Sequence, residues 1–410
     1  MKCRHCTAEL ALSMIDLGSA PPSNAYLTQA ALKQPEKWFP LRVLVCERCW
    51  LVQTEDFTEA QELFDSEYAY FSAFSSSWLV HCERYVADIV ASAGLDFGSH
   101  VVEVAANDGY LLQYFKMRGI PCTGIEPTAS TASAARAKGI AVVEEFFGLR
   151  LAKELAAKDM QADLIIANNV LAHVPDINDF VAGFAVLLKD GGQATFEFPH
   201  LLRLVEGNQF DTIYHEHYSY LSLSVVTRIF SANGLSVFDV QEHRTHGGSL
   251  RVFAQRTDAG RRERSNRVIE LLQREQAEGM LAVDFYARFQ SVAERVKHAF
   301  LTFLLQARGK GKSVAAYGAA AKGNTLMNFA GLRPDLIAFV VDRNPAKQGR
   351  YMPGSRIPIF PETRLLEVKP DYVVILPWNL REEVVEQLRY IRDWGGQFVT
   401  AIPELEVWAA

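Results

Sequence analysis

HVVEVAANDGYLL (residues 100–112), followed closely by CTGIEP (residues 122–127), is the stretch that decides the fold. His100 to Val104 is a short, β-branched run, and it breaks at the small, turn-forming residues Ala105-Ala106-Asn107-Asp108-Gly109. Helical spacing over Tyr110–Arg118 follows, then a second strand over Cys122–Ile125 that stops at Glu126-Pro127. Strand, turn, helix and strand in that order predict a parallel sheet with crossover helices. Open sheets of this kind bind ligands beyond the carboxyl ends of their strands. A carboxylate there, such as Glu126, can accept from both hydroxyls of a ribose. The turn lacks G-x-G-x-x-G, which disfavours a dinucleotide. A carboxylate-bearing turn suits a ligand with a positive centre and an amino group, as in S-adenosylmethionine. Asn-Asp-Gly is also what a plain β-turn would use.

The same grammar extends outward. Helical spacing covers Ser77–Ala93 and 130–138, with strands at Ala141–Val143, Ala162–Ala167 (ending at Asn168-Asn169) and Gly192–Phe198. Leu235–Gln241 and Gly248–Gln255 read as an antiparallel finish to the sheet. Residues 258–308 carry charge with apolar spacing, as in one or two long amphipathic helices. From Ser313 the pattern restarts, with strands at Ser313–Tyr317, Leu336–Asp342, Asp371–Pro377 and Phe398–Ile402. Three parts are expected: a small metal-stapled domain over 1–60, an α/β domain over 61–257, and linking helices with a second α/β domain over 258–410.

The chain has 410 residues, 49% of them hydrophobic and 22% charged, which is ordinary for a globular protein and argues against disorder. A net charge of −6 disfavours a broad nucleic-acid or anionic-membrane surface. The start, Met1 to Cys6, has no signal-type apolar stretch, so a cytoplasmic setting with reduced thiols is expected. Cys3/Cys6 and Cys46/Cys49 form two C-x2-C pairs, the pattern of a closed four-thiolate zinc site with a structural role. Cys82 and Cys122 read as ordinary buried thiols.

Asp211-Thr212-Ile213-Tyr214-His215-Glu216-His217-Tyr218-Ser219-Tyr220 is the densest polar cluster. His173, His200 and His246 stand near it in the pattern, the first two at strand ends. H-E-H is not H-E-x-x-H, and no third ligand is evident, so a catalytic metal is disfavoured. General acid–base chemistry, with a histidine as base and tyrosines as donors, competes with a packed Tyr/His-rich loop. In the last sheet, Gly318-Ala319-Ala320-Ala321-Lys322-Gly323 is a loose G-x-A-x-x-G turn opening a helix, with Asp342 ending the next strand and Lys347 beyond it. That turn is an anion site for a diphosphate, belonging either to NAD or to a nucleotide-linked substrate.

Taken together, these residues resemble a known family: zinc-containing C-methyltransferases of nucleotide-linked deoxysugars. The resemblance covers nearly the whole chain. It rests on the paired C-x2-C motifs, YAYFS (68–72), EVAANDGYLL (103–112), GIEP (124–127), YHEHYSY (214–220), HGGSLR (246–251), YGAAAKGN (317–324) and DRNPAKQG (342–349). Where the family usually has serine, this chain has Ala106.

The resemblance implies an α/β fold with an N-terminal zinc-binding domain, a central class I (Rossmann-like) methyltransferase domain and a C-terminal Rossmann-like domain that helps hold the nucleotide-sugar. It implies methyl transfer from S-adenosylmethionine to a ring carbon next to a 4-keto group, C3 before C5. The sugar carrier would be dTDP, with GDP as the alternative. His217 would be the base, with Tyr214, Glu216, His173 and Tyr68 around the sugar. Glu103, Ala105, Asn107, Gly109, Tyr110, Leu111, Glu126, Pro127, Phe146, Asn168 and Asn169 would form the cofactor site. Tyr70, Phe71, His246, Lys322, Asn324, Asn344 and Lys347 would contact the substrate. The zinc domain would close over the sugar. Activity should fall as pH drops through a histidine-like pKa of ~6.5. Two rival readings are an NAD(P)-dependent oxidoreductase using the Gly318–Gly323 loop and a zinc-ribbon binding protein.

Overall fold

The computed structural model describes residues 1–57 and 76–409. Three sheets organise them. The chain opens with β1 (Leu12–Ala20), β2 (Phe39–Val45) and β3 (Val52–Thr54), paired antiparallel in sequence order. A helix over Ser76–Ala93 leads into β4 (Val101–Val104), β5 (Cys122–Ile125), β6 (Ala141–Val143), β7 (Ala162–Asn168) and β8 (Leu188–Pro199). The chain then returns to the first sheet. β9 (Ser219–Tyr220) pairs antiparallel with β3 and completes four strands in the order β1-β2-β3-β9. β10 (Leu235–His243) and β11 (Ser249–Arg256) finish the second sheet, whose order is β10-β11-β8-β7-β4-β5-β6.

β4 to β8 are parallel and β11 is antiparallel to both neighbours, as the sequence pattern predicts. All four residues of β4 are buried, because helices cover both faces of the sheet. Strand order reverses between β4 and β7, which opens a crevice at their carboxyl ends. The helix Ile177–Leu187 starts at Asp176, whose side chain accepts from the Asp179 N–H at 3.0 Å, and Leu223–Ala232 starts at Ser222, which accepts from the Val225 N–H at 3.2 Å.

The charged linking segment forms three helices, Asn266–Ala277, Val283–Ala287 and Phe289–Gly309, rather than one or two. Their apolar residues Phe285, Tyr286, Phe289, Val296 and Phe300 share one core with β1, β2 and the last sheet. That sheet contains β12 (Val314–Tyr317), β13 (Val340–Val341), β14 (Ile359–Phe360), β15 (Tyr372–Ile375), β16 (Gln397–Thr400) and β17 (Glu406–Ala409), in the order β14-β13-β12-β15-β16-β17. β17 alone runs antiparallel to its neighbour. The strand expected over Leu336–Asp342 shrinks to two residues. The N–H groups of Leu336 and Ile337 turn back to the Arg333 carbonyl, so both side chains reach the core from a turn.

Candidate active site

A cavity of about 620 Å³ lies where the three sheets meet. Its floor is the turn after β4. Ala105, Asn107 and Gly109 all have positive φ, and two of them pay the steric penalty of a side chain in that region. Glu126 stabilises this shape: its carboxylate accepts from the Asn107 N–H at 2.9 Å and the Thr128 N–H at 3.0 Å. Ala105, Asn107, Tyr110, Glu126, Pro127, Phe146, Asn168 and Asn169 line the cavity. Asn168 is buried at the end of β7, and neither atom of its amide has a hydrogen-bond partner among the described residues. Buried amides are rarely left unpaired, so the floor fits a polar ligand such as S-adenosylmethionine. Glu103, Gly109 and Leu111, expected at the cofactor, lie behind the turn. Glu103 is buried, which pushes its carboxyl well above the usual range. A Cβ at Gly109 would meet the Ile140 side chain at 2.4 Å, so its need for glycine is one of packing and turn shape.

The catalytic candidates come from residues 212–217. The Nδ1–H of His217 donates to the Thr212 carbonyl at 2.8 Å. A carbonyl only accepts, so the neutral ring carries its proton on Nδ1 and its lone pair on Nε2. Burial pushes the His217 pKa well below the ordinary value, with His173, Lys322 and His246 adding to the effect and Thr212 opposing it. Tyr214 lies against the imidazole with centroids 4.0 Å apart, and His173 meets it edge-on at 4.6 Å. Burial lowers the pKa of His173 to about 4. His217, Tyr214, Glu216 and His173 all line the cavity. Glu216 accepts from the Ser23 hydroxyl at 3.0 Å and the Asn24 amide at 3.0 Å, and burial raises its pKa. His215 points elsewhere: its Nε2–H donates to the Pro40 carbonyl at 3.2 Å and its ring packs on Phe39. The two histidines of H-E-H therefore serve different sites: the His217 N–H donates back to the Tyr214 carbonyl at 2.9 Å, and this turn breaks the shared face that residues i and i+2 would have in a strand.

The opposite wall comes from the last sheet. Gly318 has φ +86°, and a Cβ there would lie 2.6 Å from Pro377. Asp342 accepts from the Ala319 N–H at 2.7 Å, the same capping that Glu126 performs in the other sheet. Ala320, Ala321, Lys322 and Lys347 line the cavity, as does His246 from the loop before β11. Burial lowers the pKa of His246 to about 4, with the Lys322 charge adding to the effect, and its Nε2 accepts from the Asn169 amide at 3.3 Å. Asn324 and Asn344 are not at the cavity. Asn324 donates to the Ser23 carbonyl, and the Asn344 side chain caps its own turn by accepting from the Ala346 N–H. Tyr68, Tyr70 and Phe71 lie outside the described residues. The sequence pattern gave no hint of Asn24, Trp78, Thr128 or Phe147, which also line the cavity. Only the turn signal Pro21-Pro22-Ser23-Asn24 could have pointed to the first.

The sulfur atoms of Cys3, Cys6, Cys46 and Cys49 lie within 4.8 Å of one another. Cys3–Cys49 and Cys6–Cys46 are each 3.5 Å apart, close to the ~3.8 Å edge of a tetrahedron with zinc–sulfur bonds of ~2.3 Å. The two knuckles share one geometry. The N–H of Thr7 donates to the Cys3 carbonyl, and that of Trp50 to the Cys46 carbonyl. Thr7 and Trp50 both have positive φ. The donor set thus fits a structural Zn²⁺ with no position left open.

A closed thiolate cluster beside a crevice of methyltransferase order defines a zinc-bearing, S-adenosylmethionine-dependent methyltransferase. Family profiles and a full-length relative agree. Family profiles match residues 3–64 as a zinc binding domain, 79–240 as a methyltransferase domain and 244–403 as a C-methyltransferase C-terminal domain. The C-methyltransferase NovU of Streptomyces niveus is 34% identical over 409 residues, covering 100% of this chain and 97% of that protein. The magnesium protoporphyrin IX methyltransferase of Synechocystis with bound S-adenosylmethionine matches 50% of this chain and 86% of its own, at 16% identity and a TM-score of 0.35. The YcgJ protein of Bacillus subtilis matches 42% and 97%, at 16% identity and a TM-score of 0.35. The chain belongs to the family of C-methyltransferases that carry an N-terminal zinc binding domain and a dedicated C-terminal domain. No helix among the described residues is long and apolar enough to cross a membrane.

Proposed function

We propose that the chain methylates a ring carbon, C3 before C5, next to the 4-keto group of a nucleotide-linked deoxysugar, with dTDP as carrier before GDP. The observation that carries this reading is the His217–Thr212 hydrogen bond of 2.8 Å, which leaves a neutral Nε2 lone pair at the cavity. A hydrogen α to a ketone is weakly acidic, so its removal needs a positioned base and a donor at the developing enolate oxygen. Nε2 of His217 takes that proton. Tyr214, against the same ring, is the donor at the oxygen, and Glu216 and His173 complete the wall around the sugar. S-adenosylmethionine supplies an electrophilic methyl group when bound. Glu126 receives its ribose, and Asn168 and Asn169 its polar groups. Lys322 and Lys347 receive the diphosphate. Burial of these groups excludes water that would protonate the carbanion. Reduced zinc thiolates suit a cytoplasmic setting.

The test is calorimetric titration with S-adenosylhomocysteine, then NAD⁺, with dTDP and GDP as second titrants. Tight S-adenosylhomocysteine binding plus one diphosphate supports the reading and identifies the carrier. NAD⁺ binding without S-adenosylhomocysteine would sink it in favour of an oxidoreductase. The methylated carbon follows from carbon NMR of the product.

A further inference from the structure

We propose that Asp211 is a positioning residue for the anion-binding wall, the internal counter-ion that keeps the Lys322 ammonium charged and seated on the face of Trp378. The inference rests on the reading of Lys322 as a diphosphate ligand. Asp211 sits in the 3-10 turn Phe210–Thr212 and is fully buried. Its Oδ2 accepts from the indole N–H of Trp378 at 2.8 Å, and its Oδ1 has no hydrogen-bond partner among the described residues. The Lys322 Nζ lies 4.6 Å from the centre of the same indole and donates to Oδ1 of Asn379 at 2.8 Å.

Trp378 thus stands between two charges, with its N–H edge on the anion and its face toward the cation. A carboxylate that accepts from the N–H increases the electron density of the ring, which strengthens its attraction for an ammonium. The indole is itself held in place, since a Cβ on Gly247 would lie 2.5 Å from it. Only the cation faces the ligand: Lys322 lines the cavity and Asp211 does not. A buried ion pair is a weak source of stability, so this directional arrangement needs another reason. Burial lowers the Lys322 pKa and Asp211 opposes it, while burial raises Asp211 to about 6 and Lys322 opposes that. The other titratable groups facing Lys322 are His217 and His246, both pushed toward the neutral form. Lys347 on the same cavity wall donates to the Ala319 carbonyl at 2.7 Å and lies 3.9 Å from Asp342.

The experiment is the dissociation constant of dTDP-glucose, measured by calorimetry from pH ~6.5 to ~9 with S-adenosylhomocysteine present; the diphosphate group of the diester has no proton to lose in that range. The wild type should be flat. Asp211→Asn should lose affinity by about tenfold or more between pH ~7 and ~9, as a lysine held more than two units below its ordinary ~10.4 requires. Asp211→Glu, or Lys322→Arg on the Asp211→Asn background, should restore a flat profile. A merely structural role would weaken binding equally at every pH, and an Asp211→Asn profile parallel to the wild type overturns the inference. Should Asp211→Asn fail to bind S-adenosylhomocysteine, Trp378→Leu replaces it. It should shift the profile in the same direction, and a flat profile there is equally fatal. Lys322→Ala with unchanged affinity would overturn the diphosphate reading itself. Lys322→Ala with weakened affinity beside a flat Asp211→Asn profile would overturn the role of Asp211 alone.

Discussion

The hydroxyl of Thr54 donates to the main-chain carbonyl of His217 at 2.9 Å, so the strand leaving the second zinc knuckle grips the proposed base. Thr54→Val keeps the shape and removes the bond, about 1 kcal/mol. The expected outcome is a fall in kcat of ~5-fold with KM and S-adenosylhomocysteine affinity unchanged. Thr54→Ser should restore kcat. A change in KM alone would place Thr54 in substrate binding.

The pH dependence of kcat should follow His217. Its pKa is pushed well below the ordinary histidine value, chiefly by burial, so the neutral form persists to lower pH than for a free histidine. The acid limb should lie below pH ~6.5 rather than at it. His217→Asn should abolish turnover while both ligands still bind. Nitrogen NMR at pH ~6.5 should show a neutral ring protonated at Nδ1; protonation at Nε2 would contradict the Thr212 hydrogen bond.

Glu126 holds the turn beneath the cofactor through two N–H groups. Its charge-assisted bonds are worth ~1.5–3 kcal/mol each. Glu126→Ala should therefore weaken S-adenosylhomocysteine binding by at least ~10-fold while leaving zinc content unchanged. Calorimetry and metal analysis of the same sample check both halves.

The zinc site should matter to catalysis without touching substrate. One zinc per chain is expected, lost in Cys46→Ser. Without it, the knuckle that leads into β3 loosens, and with it the Thr54 hydroxyl that holds the His217 carbonyl. S-adenosylhomocysteine binding should survive and kcat should fall. Loss of both together would indicate global unfolding.

Glu275 joins the linking helices to the methyltransferase sheet. It is fully buried and accepts from His200 Nε2 at 2.8 Å, the Leu223 N–H at 2.7 Å and the Ser224 N–H at 2.8 Å. Glu275→Leu leaves these donors buried and unpaired, and should cost ~3–5 kcal/mol in urea unfolding. Burial would raise the pKa of this carboxyl, but the His200 and Ser224 bonds win and lower it. Its contribution is thus present above pH ~4.3 and lost as pH falls through the lowered value. A Glu275→Leu variant as stable as wild type would show the pair to be dispensable.

Much of this was readable from residue order because it is local. Val101–Val104 is a buried run ending in turn residues, and each C-x2-C is a self-contained knuckle. What escaped was long-range. β9 is two residues, Ser219–Tyr220, and nothing in them names β3 as partner. Asn24 reaches the cavity only because Tyr26 and Asn324 pin its loop to the last sheet. Glu103 and Leu111 sit in the right motif, but strand alternation and helix packing turn them away from the crevice. Leu336 and Ile337 look like strand residues, yet a turn delivers their side chains equally well.

The pairing of β9 with β3 also sets an order of assembly. A ribosome releases the N-terminal residues first, so both thiolate knuckles and β1 to β3 emerge long before Ser219 and Tyr220 exist. Until then β3 presents an open edge, a template for the wrong neighbour. The first sheet to be synthesised is therefore completed only after the parallel core of the second has been made. The nascent chain must keep that edge unpaired throughout, and zinc captured early would hold it in register for its late partner.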